Sequence, residues 1–309
     1  MVDVIVLNSD KEYHIKNISD NLNLNSNIDT LGAELTLTTT INYTFSEGDI
    51  IILKSKDKEI FRGIIIDFET NTISTNDYKS CDFAFYLNKN QVFYKFSKQS
   101  ASECIKKLLK DFNIPIGSID NISFSISKIY NGKTVSDVIK DILEQVKENT
   151  GTEYYFEMIQ GKFNLFNKNS LVAQYEVNNN TIITPPTLSR SIEELKNTIV
   201  ITSNSDENAT ILYTVKDDSS ISKYGKLQLI HSIGDDEKSR KNTIASNLLK
   251  ENNKASNTLK FDVVGDFNLM PCRIIKVSLD RIKGNYRIVN VSHALKSGVH
   301  ITSLDLEVV

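Results

Sequence analysis

The segment Gly48 to Glu69, GDIIILKSKDKEIFRGIIIDFE, sets two apolar runs on either side of a short charged turn and reads as a β-hairpin. A sheet with one wet face needs an apolar residue only at every second position, yet Ile50, Ile51, Ile52 and Leu53 face Ile64, Ile65 and Ile66 with no clean polar side. Burial on both faces removes the need for alternation. At about 25 cal/mol per Å² of apolar area, hiding several such side chains contributes several kcal/mol. Ile50, Ile52, Ile64, Ile66 and Phe68 are therefore a candidate buried interface. Its cover is a neighbouring domain or subunit, or an overlying helix or loop of the same chain.

Period-two patterns or short β-branched runs dominate the first 96 residues: Val4 to Leu7, Ile18 to Leu24, Leu31 to Ile41, the hairpin, and Ser80 to Leu87. The pattern changes at Ser97. Ser100 and Glu103 form a capping-box pair, followed at helical spacing by Ile105, Leu108, Leu109 and Phe112 until Pro115 and Gly117 stop the run. Thr134 and Asp137 cap a second helix with an apolar stripe of Val135, Val138, Ile139, Ile142, Leu143 and Val146, ended by Gly151. ISFSIS is a short strand, and EYYFEMIQGKFNLFN is a hairpin turning at Gln160-Gly161. Strand signals return at Asn197 to Thr202 and Ala209 to Val215, and again from Thr258 to the end. One helix, over about 235–253, interrupts them: Asp235, Asp236 and Glu237 suit its positive end, and Ile244, Ala245, Leu248 and Leu249 line one face.

The fold class expected is α+β and predominantly β: a β-domain of meander or barrel type over 1–96, a small α/β domain over 97–168, and a second, mostly β domain over 169–309. The end also echoes the beginning. RIIKVSLDRIKGNYRIVNVSH, 273–293, is again an apolar strand, a charged turn, a glycine near an aromatic, and an apolar strand. An internal duplication and the plain similarity of any two hairpins both account for it.

At 309 residues the chain has room for two or three domains, at about 100–200 residues each. The 36 basic and 39 acidic residues give a net charge of -3, which provides no global field for nucleic acid or an anionic membrane. Cys81, Cys104 and Cys272 are odd in number and lack metal-binding spacing, so they read as reduced core residues. The acidic opening Met1-Val2-Asp3 lacks the positive charge of a secretory signal, no apolar run reaches the roughly 18 residues of a membrane helix, and synthesis in the cytoplasm is expected. Abundant Asn, Ile, Lys and Ser reflect coding bias and carry no functional weight.

No nucleophile elbow, zincin helix or phosphate-binding glycine loop is present. His293 and His300 flank the turn in SHALKSGVHITS; a four-residue loop would pair them, a three-residue loop would place them on opposite faces, and no third metal ligand lies near. Glu153 with Glu157, and Asp217 with Asp218, could imitate a glycosidase pair, but acidic residues are plentiful on any solvated surface. Lys106, Lys107 and Lys110 read as the wet face of a helix without the interleaved aromatics of single-strand binding. No catalytic, metal or cofactor-binding residue is assigned, and no cofactor is expected.

Five phrases in order carry a resemblance: ISDNLNLNSNIDTLGAELTLTTT, the hairpin GDIIILKSKDKEIFRGIIIDFE, SASECIKKLLKDFNIPIG, DDSSISKYGKLQ, and GDFNLMPCRIIKVSLDRIKGNYRIVNVSHALKSGVHITSLDLEV. Together they resemble the XkdQ-like hub proteins of contractile phage tails, phage-tail-like bacteriocins and defective prophages. The resemblance implies a non-enzymatic baseplate hub, a homotrimer whose subunits each carry two tail-tube-like β-domains with a small α/β domain between them. Three subunits would then present six modules to the hexameric tail tube and a threefold face to the central spike. Further implied partners are other baseplate or adaptor proteins and the tape-measure protein, with assembly into the tail of a virion or tail-like particle. In the turn leading into the C-terminal hairpin, Cys272 and Arg273 stand where the family would carry Gly and Asp. A tail-associated peptidoglycan hydrolase and a glycan-binding module are the alternatives, the latter weakened by the lack of Trp.

Overall fold

A computed structural model describes residues 2–8, 11–15, 18–30, 32–40, 42–71, 74–203, 209–296 and 298–309. In chain order its elements begin with β1 (Val2–Asn8), β2 (Lys11–Ile15), β3 (Ile18–Asn27), β4 (Glu34–Thr40), β5 (Ile50–Ser55), β6 (Lys58–Asn71), β7 (Thr75–Asp82) and α1 (Ala84–Lys89). Next come β8 (Gln91–Ser100), α2 (Ala101–Asp111), β9 (Ile116–Ile119), β10 (Ser125–Thr134), α3 (Val135–Thr150), β11 (Tyr154–Ile159), β12 (Lys162–Asn167), β13 (Val172–Val177) and β14 (Thr187–Ser191). The chain closes with β15 (Thr198–Ser203), β16 (Ile211–Lys216), α4 (Asp218–Tyr224), β17 (Gln228–Ile233), α5 (Lys241–Asn252), β18 (Ser256–Val264), β19 (Ile274–Ser278), β20 (Lys283–Lys296) and β21 (Val299–Val308). Leu31 and Ile41, the ends of one expected strand, lie outside the described residues.

The chain divides into two compact units, residues 1–140, 154–187 and 259–309 in the first and 141–153 with 188–258 in the second. In the first unit one sheet runs β18-β21-β20-β3-β4-β7-β6-β5-β1-β2, and β19 joins it through β20 and carries β13 on its other side. The antiparallel pairing of β20 with β3 makes the last strands continuous with the first. Two cores line this sheet. Val4, Val6, Leu22, Leu24, Leu35, Leu37, Ile51, Leu53, Phe61, Ile65 and Tyr78 form one, while Val177, Leu259, Phe261, Ile275, Val277, Tyr286, Ile288, Val291, Leu304 and Leu306 form the other. Alternation in β3 and β4 explains their sidedness: Leu22, Leu24, Leu35 and Leu37 point into the first core, and the intervening Asn and Thr residues point away.

The expected mostly β character is the observed one, with local differences. Ser80 to Leu87 reads as a strand in sequence because Phe83, Phe85 and Leu87 alternate, but β7 stops at Asp82 and α1 follows. The buried Asp82 carboxylate accepts the backbone N–H groups of Ala33 (2.8 Å) and Ala84 (2.9 Å), which bends the chain out of the ladder.

The capping boxes at Ser100 with Glu103 and at Thr134 with Asp137 form as expected, and Gly151 closes α3 at φ +72°. The hairpin at Gln160-Gly161 also forms, with φ of 51° and 71°.

The second unit holds a three-stranded sheet in the order β16-β15-β17, with Ile199, Ile201 and Ile233 packed against Ile244, Ala245 and Leu248 of α5. Two corrections apply here. The acidic segment Asp235–Arg240 is a 3₁₀ turn and α5 begins only at Lys241. A further helix, α4, also precedes it, capped by Asp217, which accepts the Ser220 N–H at 3.0 Å, and ended by Gly225 at φ +80°. Seven residues are too few to show helical periodicity, and the sequence reading did not find this helix.

Candidate assembly interface

The hairpin β5–β6 closes through Lys56 and Asp57, at φ 48° and 65°, a two-residue turn whose twist matches that of the strands. Ile51, Leu53, Phe61 and Ile65 point into the first core. A bulge at Ile66 then shifts the parity, so Phe68 also packs on that core and stacks with Tyr78 at 6.2 Å. On the opposite face Ile50 is paired with Ile64, and Ile52 with Arg62 and with Ile5 of β1. Ile52 and Ile64 are 4% and 7% exposed within the single chain, whereas Ile50, Ile66 and Phe68 are half-buried. Part of the cover on that face comes from the small hairpin β11–β12. β11 lies against β6, and a Cβ at Gly161 would sit 2.7 Å from Arg62 Cδ and 3.0 Å from the Phe83 ring, so only glycine fits there.

The hairpin β19–β20 repeats this frame, a short strand followed by one of 14 residues interrupted by a bulge, here at Val289. Ile275, Val277, Tyr286 and Ile288 point into the second core, and beyond the bulge Val291 does so as well. Past Val291 the strand reaches the first core, where Leu295 packs. Its opposite face is polar: Lys276, paired to Glu176 at 3.0 Å, Ser278 and Asn285.

Three buried polar contacts, each spanning distant parts of the chain, hold the first unit together. The Arg273 guanidinium forks onto Glu157 of β11 with two 2.5 Å hydrogen bonds. Burial opposes the Arg273 charge, but the Glu157 carboxylate outweighs it and raises the pKa. Arg287, only 4% exposed, donates to the carbonyls of Lys168 (2.8 Å) and Cys272 (3.0 Å) and to Asn169 Oδ1 (2.9 Å). Asp82 is the third. Burial pushes its carboxyl up to about 7 against the two backbone N–H groups that favour the charged form.

The turn before β19 keeps a glycine-like backbone despite its substitution. Arg273 N–H reaches Met270 O at 3.5 Å, and Cys272 sits at φ +69°, the sign a type II turn requires at its third residue.

The candidate chemical groups have structural partners. Glu157 is held by Arg273, and Asp217 accepts from Ser219, Ser220 and Asn253 at the start of α4. His293 and His300 meet, by a route other than the two loop lengths considered. The register pairs Lys296 with Val299, so His293 lies opposite Thr302 and His300 opposite Leu295, diagonal neighbours on one face. Their Nδ1 and Nε2 atoms are 3.2 Å apart, and His300 stacks on Phe267 at 4.0 Å. His293 Nε2 faces the Leu269 carbonyl at 2.9 Å and so carries the proton that donates to it. Burial, reinforced by His300, pushes the His293 pKa down to about 3. Among the described residues no group of three or more His, Cys, Asp or Glu could hold a metal ion, and no helix is long and apolar enough to cross a membrane.

Arg287 and Asp82 escaped the sequence reading because Arg and Asp are mostly surface residues and most of their partners are backbone atoms. Arg273 with Glu157 escaped it because 116 positions separate them. The one available signal was Arg273 itself, in a place where the resemblance expects an acid.

The fold is that of phage tail proteins. The 43 kDa tail protein of prophage MuSo2 from Shewanella oneidensis superposes with a TM-score of 0.74 at 11% identity, covering 98% of both chains. The E. coli c3393 protein, described as a type VI secretion component similar in structure to the T4 tail proteins gp27 and gp5, superposes at 0.59 and 9% identity over 94% of this chain and 73% of its own. Residues 22–307 match the YQBQ-like family, and the chain belongs to that family. It is 30% identical to YqbQ of Bacillus subtilis (strain 168) over 279 residues, 85% of this chain and 82% of that protein. To XkdQ of the phage-like element PBSX of the same organism it is 35% identical over 196 residues, 63% of this chain and 60% of that protein.

Proposed function

We propose that the chain is a structural hub of a contractile phage tail or phage-tail-like particle, a homotrimer that adapts a hexameric tail tube to a trimeric spike. The observation that carries the reading is the pair of β-cores on one continuous sheet. Each is lined by a short strand and a bulged 14-residue strand, and the two are joined edge to edge by β3 and β20. Two similar modules per copy, taken three times, give six positions, which is what a threefold-to-sixfold adaptor needs. The division into 1–96, 97–168 and 169–309 is proposed as tube-like module, small α/β module and tube-like module. The half-buried Ile50, Ile66 and Phe68 are proposed as the part of the hairpin that a neighbouring subunit covers. Kinship with a phage-like-element protein and a fold shared with a secretion component similar to gp27 and gp5 support the reading.

Other tail components, namely tube, spike, adaptor and tape-measure proteins, are the proposed partners, and the baseplate of the particle, after synthesis in the bacterial cytoplasm, is the proposed location. Native mass measurement of the purified chain and of particles tests this, with three copies per particle expected. A strictly monomeric chain absent from tail particles overturns it. Peptidoglycan turnover by the isolated chain, or saturable glycan binding, would favour the two alternatives.

A further inference from the structure

In the second unit β17 carries a histidine in a row that is otherwise apolar. Leu229, His231 and Ile233 share the face of the sheet that packs on α5, with Leu229 and His231 opposite Ile199 and Ile201 of β15, while Gln228, Ile230 and Ser232 point away. The end of α3 reaches the same row. Glu148 Oε2 lies 3.5 Å from His231 Nε2, and the two side chains are largely buried, His231 at 26% and Glu148 at 12% exposure. Asn247 of α5 donates to the Glu148 carbonyl at 2.8 Å, so the helix backbone is anchored whatever the state of the side chain.

The charges that face the imidazole are acidic. Glu144 and Glu148 come from α3, and Glu237 comes from the 3₁₀ turn, where it accepts the Gly234 N–H at 3.3 Å and lies 3.5 Å from the Asn149 amide. Lys147, the cation next to Glu148 in sequence, is held by Glu251 of α5 at 2.5 Å and by Glu144 at 3.3 Å, which leaves Glu148 to His231. We infer that His231 and Glu148 are a pH-operated clasp: the imidazolium fastens β17 to the end of α3, and loss of its proton releases the strand. Without that proton the Glu148 carboxylate is left largely buried and uncompensated beside Glu144, the costly outcome when one partner of a buried pair is lost. The hydrogen bond to Glu148 raises the His231 pKa above its ordinary 6.5; burial opposes the rise, and the charges of Glu148, Glu237 and Glu144 reinforce it. The clasp is therefore complete below pH 6.5 and is lost as pH rises through the raised value. It belongs to the chain itself and goes beyond the tail-assembly reading without depending on it.

The experiment follows the full chain from about pH 5.5 to about 8.5, the range in which a histidine of raised pKa titrates. Nuclear magnetic resonance of histidine-labelled protein reads the His231 titration, assigned by the signal that His231→Gln removes. Hydrogen exchange, corrected for its intrinsic pH dependence, reads the opening of 228–233 and 144–150. His231 is expected to titrate above 6.5, and Glu148→Gln should bring its midpoint down. Opening of β17 should increase as the imidazole loses its proton, about tenfold for each unit by which the midpoint exceeds 6.5. His231→Gln should remove this pH dependence, and His231→Lys, which keeps a cation throughout, should hold the strand closed at the alkaline end. His14→Gln, at an exposed histidine of the first unit, should leave the profile unchanged. The wild-type titration needs no variant to fold, and a His231 midpoint at or below 6.5 overturns the clasp. So does exchange over 228–233 whose pH dependence survives His231→Gln, or an alkaline opening as large in His231→Lys as in the wild type.

Discussion

The two bulged hairpins of the first unit share a frame and differ in what lies over them. In β5–β6 the face away from the core is Ile50, Ile52 and Ile64, with the small β11–β12 hairpin packed near Arg62. In β19–β20 the corresponding face is Lys276, Ser278 and Asn285. The dipeptides Phe61-Arg62 and Tyr286-Arg287 sharpen the contrast. Arg62 is half-buried and forks onto Glu59 three residues away, whereas Arg287 is 4% exposed and bonds to Lys168, Asn169 and Cys272. One arginine closes a local pair and the other fastens a remote segment. Composition on the outer face therefore follows the cover, while the inner face follows the core.

The largest expected test of this contrast is Arg287→Ala, which strands two buried carbonyls and a long packed stem and should cost about 3–5 kcal/mol. Arg62→Ala should cost less, about 1–2 kcal/mol, because it breaks one local pair with Glu59 and strands no remote backbone group. Chemical denaturation of both variants reads the difference, and equal losses would erase the distinction between the hairpins.

Next in size is an opposed pair of pH effects. The folded pKa of Asp82, about 7, is above its ordinary 3.8, so its contribution is complete below pH 4 and is lost as pH rises through 7. For His293 the folded value, about 3, is below 6.5, so its contribution is present above pH 6.5 and is lost as pH falls through 3. Melting curves of Asp82→Asn should flatten the neutral side of the profile and those of His293→Gln the acid side, each by about 4 kcal/mol at the extremes. Profiles unchanged by either substitution would contradict these assignments.

Ile52→Ala should cost about 2–3 kcal/mol and Lys276→Ala less than about 0.5, since the first opens a cavity under a covered face and the second changes a wet one. Urea midpoints compare them directly. The smallest effect expected is a gain of about 0.5–1 kcal/mol for Asp57→Gly, which relieves a left-handed residue in the tight turn of the first hairpin. A loss there would mean that the Asp57 side chain holds the turn.

The strands of both hairpins, the capped helices α2 and α3 and the Gln160-Gly161 turn were legible because each is set by side chains a few residues apart, through period, caps and turn geometry. The missed α4 and the truncated β7 are as local, but one is too short to show a period and the other ends on a buried aspartate that sequence presents as a surface residue. What the sequence by itself determined was the identity of most elements and the presence of two similar hairpins. Only the tertiary structure decided that β3 pairs with β20, that Arg273 meets Glu157 and Arg287 reaches Lys168, and which hairpin face is covered. Those outcomes depend on backbone atoms and side chains brought together across a hundred residues or more, and such proximity leaves no periodic trace in a single chain.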